Sequence, residues 1–174
     1  LGYYIEDEPN ADRFSELNKI VKKIYSLDKK HITYINLYPN YANNEQLKVR
    51  SYEQYVNAYL KMVNPNVLSF DHYPLVNNII RNGYYENLET IKKNALLFNK
   101  PFWAFACSVI HYNYLKPTVA GITFQQFSNL LYGAKGLQYY SYWGVNDAFT
   151  KANNYSFAIV DEQGVPTPTY YVVK

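Results

Sequence analysis

The sequence has one cysteine, Cys107, so no disulfide within the chain is possible and the redox setting stays open. No apolar run approaches the ~20 residues of a membrane-spanning helix, and no secretory leader is recognisable. Runs of Lys or Arg are lacking too. The 17 basic and 14 acidic residues are spread along the chain, and the net charge of +3 provides no stripe for nucleic acid. None of the seven glycines builds a phosphate loop after a strand. The three histidines, Cys107 and the acids show no metal-ligand spacing, so neither a metal nor another cofactor is expected. The first residue is not Met, and the residues after it already read as a strand. An N-terminal part ahead of Leu1 is therefore expected. The 174 residues suit one domain or part of a larger one.

What the chain has in quantity is tyrosine. There are 21, and aromatic residues make up 18% of the sequence. A tyrosine joins an apolar ring to a polar tip, which suits half-buried positions and wet clefts as well as ordinary core packing.

Five short apolar runs read as strands: "YYI" at 3–5, "ITYINL" at 32–37, "VLSF" at 67–70, "FWAFAC" at 102–107 and "LQYYSYW" at 137–143. They are nearly continuous rather than alternating, as expected of parallel strands buried on both faces. Helical stripes fill the gaps. They are Phe14, Leu17, Ile20, Val21, Ile24 and Leu27; Tyr52, Tyr55, Val56, Tyr59, Leu60 and Val63; Leu88, Ile91, Ala95 and Leu96; and Phe124, Phe127, Leu130, Leu131 and Ala134. Pro65 and Pro101 precede strands, and Gly133 and Gly136 bracket the end of the last helix. The order β-α-β-α-β-α-β-α-β implies an α/β fold with a parallel sheet.

A doubly wound sheet and a barrel both fit this order. The missing phosphate loop and the polar or aromatic end of every strand favour a (β/α)8 TIM barrel, whose C-terminal strand ends converge on one site. Those ends are Asp7-Glu8-Pro9, Asn36 to Pro39, Asp71 to Pro74, Ser108 to His111, and Tyr142-Trp143. The chain supplies five βα units of eight. About three more, on the order of 100 residues, are expected before Leu1, making residues 1–174 the C-terminal portion of a single catalytic domain.

A strand ending in Glu8-Pro9, a later strand ending in Tyr142-Trp143, and the tail "IVDEQGVPTPTYYVVK" together resemble clan A glycoside hydrolases, most of all family 42 β-galactosidases and their relatives. "INLYPNYA", "VLSFDHYPL", "PFWAF" and "LLYGAKGLQYYSYWG" extend the likeness over nearly the whole chain, as strands four to eight of such a barrel. The resemblance implies that Glu8 is the general acid/base. It also implies a nucleophilic Glu at the end of the seventh barrel strand, but "FWAFACSVIHYNY" contains no carboxylate there.

Glycosidic cleavage uses two carboxyl groups, one to protonate the leaving oxygen and one to attack or to activate water. Glu8 is the candidate acid, with a pKa raised by neighbouring carboxylates and a partly apolar cleft. Asp71 and Asp7 are the candidates for the second group. For Asp7 and Glu8 both to face a ligand, the strand must bend after Asp7. An Asp-Glu pair on the fourth strand also resembles substrate-assisted hexosaminidases such as glycoside hydrolase family 123, where the sugar's acetamido oxygen attacks. A third possibility is a barrel that binds sugar without cleaving it. Glu6 is expected to face away or to pair with a Lys.

Asn36, Tyr38, His72, Tyr73, Tyr142 and Trp143 are the candidate substrate-binding residues. Trp143 is a candidate sugar platform, whereas Trp103 opens its strand and reads equally as core. His111 stands where the missing nucleophile is expected. Ser108 lacks the glycines of a nucleophile elbow. The partners expected are a carbohydrate substrate and the N-terminal part of the same barrel, with no nucleic acid and no membrane.

Overall fold

The structure, a computed structural model, describes residues 2–174. Strand β1 (Gly2–Asp7) leads through a 3-10 turn, Ala11–Arg13, into helix α1 (Phe14–Leu27). Strand β2 (Ile32–Leu37) is followed by the short α2 (Asn44–Leu47) and by α3 (Tyr52–Met62). After β3 (Leu68–Phe70) comes a small hairpin, β4 (Leu75–Val76) and β5 (Ile79–Ile80), and then α4 (Tyr84–Leu97). Strand β6 (Phe102–Cys107), helix α5 (Val119–Leu131) and strand β7 (Gly136–Tyr140) follow, with α6 (Ala148–Ala152) and α7 (Pro168–Val173) in the tail.

The five long-range strands form one parallel sheet in the order β1-β2-β3-β6-β7. Helices α1, α3, α4 and α5, which follow β1, β2, β3 and β6, pack on the outer face of the sheet, as βα units require. Phe14, Leu17, Tyr55, Tyr59, Leu88 and Ile91 from α1, α3 and α4 are sealed against Ile35, Leu37, Leu68, Phe70 and Phe102 of the sheet. Each such side chain contributes roughly 1.5–3 kcal/mol by leaving water. Ser51 caps α3 by accepting from the Gln54 N–H, and Thr118 caps α5 by accepting from the Gly121 N–H.

The sheet curls as half a barrel does. Strands separated by one neighbour lie roughly 10 Å apart in a flat sheet, yet inner-face side chains here meet across such gaps. Gln138 on β7 donates to Ser69 on β3 at 2.9 Å, and the Tyr34 ring of β2 lies 6.2 Å from that of Trp103 on β6.

Two expectations need correction. First, β7 ends at Tyr140, so Tyr142 and Trp143 lie in the loop beyond it. Second, α5 buries Ile122, Gln125 and Asn129 rather than its apolar stripe, and Phe127, Leu130 and Leu131 face outward. The buried amides saturate β6: Gln125 accepts from the Cys107 N–H (2.8 Å) and Asn129 donates to the Phe105 carbonyl (3.1 Å). The β4–β5 hairpin, absent from the expected elements, turns on Asn77 and Asn78, both at positive φ (50° and 61°), a two-residue turn that asparagine tolerates.

Candidate active site

The C-terminal end of β1 carries three successive acids, and the backbone sorts them. A bulge between Tyr4 and Glu6 inserts Ile5 as an extra residue, so that Tyr4 pairs with Tyr34, Glu6 with Ile35 and Asp7 with Asn36. Tyr34 and Asn36 face the concave side, and Ile35 faces the helices. The register therefore turns Glu6 outward to Arg13 (2.8 and 3.1 Å) and Asp7 inward. Glu6 thus faces away from the site, the first of the two alternatives expected, and its partner is an arginine rather than a lysine. Glu8 then adopts φ +46°, its N–H still held by the Asn36 carbonyl at 2.8 Å. That left-handed turn is the bend needed for Asp7 and Glu8 to line the same cavity. Tyr55 fixes the turn from the helix side, its hydroxyl donating to the Pro9 carbonyl at 2.6 Å.

Asp71, just past β3, joins them. The Asn36 amide donates to Asp71 Oδ1 (2.8 Å) and to Asp7 Oδ1 (3.2 Å), so one side chain spaces the two carboxyl groups. Asn36 Oδ1 accepts from Ser69 Oγ (3.0 Å). With its proton so committed, Ser69 must accept from Gln138 (2.9 Å) and from the Tyr34 hydroxyl (2.8 Å). The donors are thus aligned toward the acids across four strands.

Burial raises the Glu8 carboxyl to about 8, with the Asp71 and then the Asp7 charge adding to it. Burial raises Asp71 to about 7, opposed by the Asn36 hydrogen bond and reinforced by Asp7. At neutral pH Glu8 holds its proton and can donate it, while Asp71 is poised near half-ionisation.

The cavity holds about 460 Å3. Opposite the acids its wall is aromatic, built from Phe105, Tyr73, Tyr112, Tyr114, Tyr140 and Tyr155. His111 belongs to this wall. Its ring stacks on Tyr114 (4.4 Å between centroids), and Nδ1 bonds the Val109 carbonyl (3.3 Å). That bond needs the proton on Nδ1 and leaves Nε2 as an acceptor. Burial lowers the pKa of His111, which keeps the ring neutral.

The cavity gathers Asp7, Glu8, Asp71, Asn36 and Tyr73 of the expected residues. The remaining four lie elsewhere. His72 is sealed behind the wall between the rings of Tyr41 and Tyr84, bonded through Nδ1 to Asn87 (3.1 Å), with burial lowering its pKa to about 4. Tyr38 packs on Tyr55 beside the acidic turn without entering the lining. Trp143 lines a separate hollow of about 330 Å3 next to α6, and Tyr142 is exposed. Both were misplaced because β7 stops three residues before Trp143. Trp103 lies at the opposite end of its strand, against Tyr34 and Gly136.

Sequence reasoning missed Tyr4, Tyr34, Tyr41, Tyr112, Tyr114, Tyr140 and Tyr155. For Tyr34 the signal was its period-two phase with Asn36; for Tyr4 the bulge at Ile5 hid it. For Tyr112 and Tyr114 the signal was "HYNY" at 111–114, in the loop that follows β6.

The chain matches no protein-family model and no curated protein. Among solved structures, that of a "putative alpha-L-fucosidase" from Bacteroides thetaiotaomicron aligns over 87% of this chain at 13% identity, with a TM-score of 0.57. The aligned region is 50% of that protein, so this chain spans about half its length. At that identity the likeness is one of fold.

Proposed function

We propose that the protein is a glycoside hydrolase acting on O-glycosidic bonds of oligo- or polysaccharides, with Glu8 as general acid. The observation carrying this reading is the convergence of Asp7, Glu8 and Asp71 in one cavity at the C-terminal ends of parallel strands. Glu8 protonates the leaving oxygen. Asp71, spaced by Asn36, serves as the second carboxyl group that attacks the anomeric carbon or activates water. Asn36, Tyr73 and the Nε2 of His111 hold sugar hydroxyls. The half-barrel fold shared with a protein described as a fucosidase supports a glycosidase in general, and the resemblance of the strand-end motifs to family 42 β-galactosidases is the finer form of this proposal.

The barrel on this reading is a full (β/α)8 one, closed by further units of the same protein at the free edges of β1 and β7. Two features support closure. Tyr4, on the concave face of β1, is 65% exposed, and an open hollow of about 260 Å3 between Tyr4, Tyr34 and Trp103 occupies the place of a barrel interior.

Glu8→Gln tests the role of the acid. Loss of roughly 10²-fold or more in turnover of glycosides with poor leaving groups is expected, and undiminished turnover refutes it. The shared cavity of Asp7 and Glu8 also favours a second reading, substrate-assisted cleavage of 2-acetamido sugars. That reading requires inhibition by a thiazoline analogue and no action on plain galactosides.

A further inference from the structure

We propose that the face of the protein opposite the cavity docks on an anionic lipid bilayer, with a recess beside α1 receiving the phosphate of one headgroup. The inference is independent of the glycosidase reading.

The crossover helices run back from the cavity end of the sheet, so helix ends and strand starts share the far face. Four turns join them there: 28–31 after α1, 63–67 after α3, 98–101 after α4 and 132–135 after α5. The register keeps them side by side, with Leu68 opposite Phe102 and Trp103 opposite Gly136. All four helices end on an exposed Leu or Met, and a lysine stands within three or four residues of it. The pairs are Leu27 with Lys29 and Lys30, Met62 with Lys61, Leu97 with Lys100, and Leu131 with Lys135. Leu27, Leu97 and Leu131 are 75%, 67% and 83% exposed. Single exposed leucines are ordinary. One at the end of each of four neighbouring helices, with a cation beside it, makes an amphipathic face.

These helix ends and turns hold five lysines and one acid, Asp28. Asp28 is already occupied, by the Tyr3 hydroxyl (2.9 Å), the Lys30 N–H (2.8 Å) and the His31 ring (2.7 Å). Among the described residues none of the five lysines forms an ion pair. Their charge is therefore left for an external anion.

The recess is a separate observation. Between α1 and the turn after α3 the face is hollowed by about 400 Å3, with Lys22, Tyr25, Ser26, Asn64, Asn66 and Lys100 as its polar lining and no carboxylate among the described residues. Asn66 Oδ1 accepts from the Thr33 hydroxyl (3.5 Å), which leaves the Asn66 amide N–H groups and both ammonium groups without an acceptor in the chain. Donors without acceptors around a hollow suit a phosphate, whose free oxygens accept and carry negative charge. A bilayer fits the surrounding face better than a folded acidic protein does. The same apolar and cationic pair recurs in four turns, which matches a laterally uniform partner with apolar matter beneath a layer of phosphates. Lysine stems lie along apolar surface while their charges stay among the headgroups. This peripheral contact replaces the expectation of no membrane partner, and it leaves the mouth of the cavity turned away from the surface.

Co-sedimentation of the full chain with vesicles tests this. At roughly 20 mM salt, vesicles of phosphatidylcholine with about one-third phosphatidylglycerol should bind on the order of a hundredfold more tightly than phosphatidylcholine alone, and roughly 300 mM salt should release the protein. Lys22→Gln with Lys100→Gln should weaken binding roughly twentyfold. Leu27→Ser with Leu97→Ser should weaken it roughly tenfold and leave retention by soluble polyglutamate unchanged. Lys48→Gln with Arg50→Gln, at the cavity end, should change nothing. Circular dichroism checks the fold of each variant. Equal binding to neutral and anionic vesicles, or binding to neither, overturns the inference. Leucine variants that bind anionic vesicles like the parent overturn it too, in favour of an acidic protein partner. Recess variants that bind like the parent remove the headgroup assignment.

Discussion

Replacing Asp71 by Asn should stabilise the fold at alkaline pH while removing activity. The carboxyl is 7% exposed and its pKa is raised from 3.8 to about 7. A group whose folded pKa is raised loses its contribution to stability as pH climbs from the unfolded pKa through the folded one. For Asp71 that window runs from about pH 4 to about pH 7, and at 1.36 kcal/mol per pH unit the full cost is about 4 kcal/mol. Coupling to Asp7 and Glu8 shares this cost among three groups, so about 2–4 kcal/mol is expected of Asp71 alone. Asparagine keeps an oxygen for the Asn36 amide and carries no charge. The variant should therefore match the parent protein near pH 4, diverge as pH rises and level off above pH 7. Urea unfolding at pH 4, 6 and 8.5 measures the divergence, and in thermal melts each kcal/mol corresponds to roughly 2–4 °C for a chain of this size. A difference independent of pH, or a variant less stable than the parent at pH 8.5, would refute the assignment of Asp71 as a carboxyl held against its ionisation.

The same electrostatics governs the rate profile. With the Glu8 carboxyl at about 8, turnover should decline above pH 8, and Asp71→Asn should draw any residual decline to lower pH, because the charge that helps raise Glu8 is gone; initial rates against pH read both. Tyr55→Phe removes the bond to the Pro9 carbonyl and should cost about 1–1.5 kcal/mol in urea unfolding, with a lowered kcat from the loosened Glu8 turn. Asn36→Ala deletes the donor shared by Asp7 and Asp71 and the acceptor of Ser69, and should lower kcat with about 1–3 kcal/mol of destabilisation. Gly136→Ala places a methyl 2.7 Å from the Trp103 ring and should cost about 1–3 kcal/mol in the same assay, far from the chemistry.

The parallel sheet was legible because its strands are near-continuous apolar runs separated by helix-sized stretches. Period and length carry that information without any tertiary context. The α5 face was not legible. Its apolar stripe looked like core, but β6 needed hydrogen bonds more than contact, and Gln125 and Asn129 supply them. His72 was misread for a related reason. It follows Asp71 directly at a strand end, yet the chain turns its ring back under α4, where Asn87 receives it. Position at a strand end says which residues approach the mouth of a barrel, and the turn after it decides which of them face in. Trp143 shows the same limit, since three residues of loop were enough to carry it to another hollow.

The acidic triplet Glu6-Asp7-Glu8 makes the point most sharply. Strict alternation from the inward Tyr4 would put Glu6 on the concave face and Asp7 among the helices. One inserted residue, Ile5, reverses both, sending Glu6 to Arg13 and Asp7 to Asn36. Glu8 would then follow alternation back outward, and its left-handed backbone prevents this. A glutamate at φ +46° is strained by of order 1–3 kcal/mol, and the surrounding structure holds it there with the Asn36 carbonyl on one side of the turn and the Tyr55 hydroxyl on the other. Two local departures from strand geometry thus bring two adjacent carboxyl groups to one cavity and take the third away. Mutual repulsion then acts where it serves proton donation, on Glu8 and Asp71, while the displaced Glu6 is neutralised by Arg13.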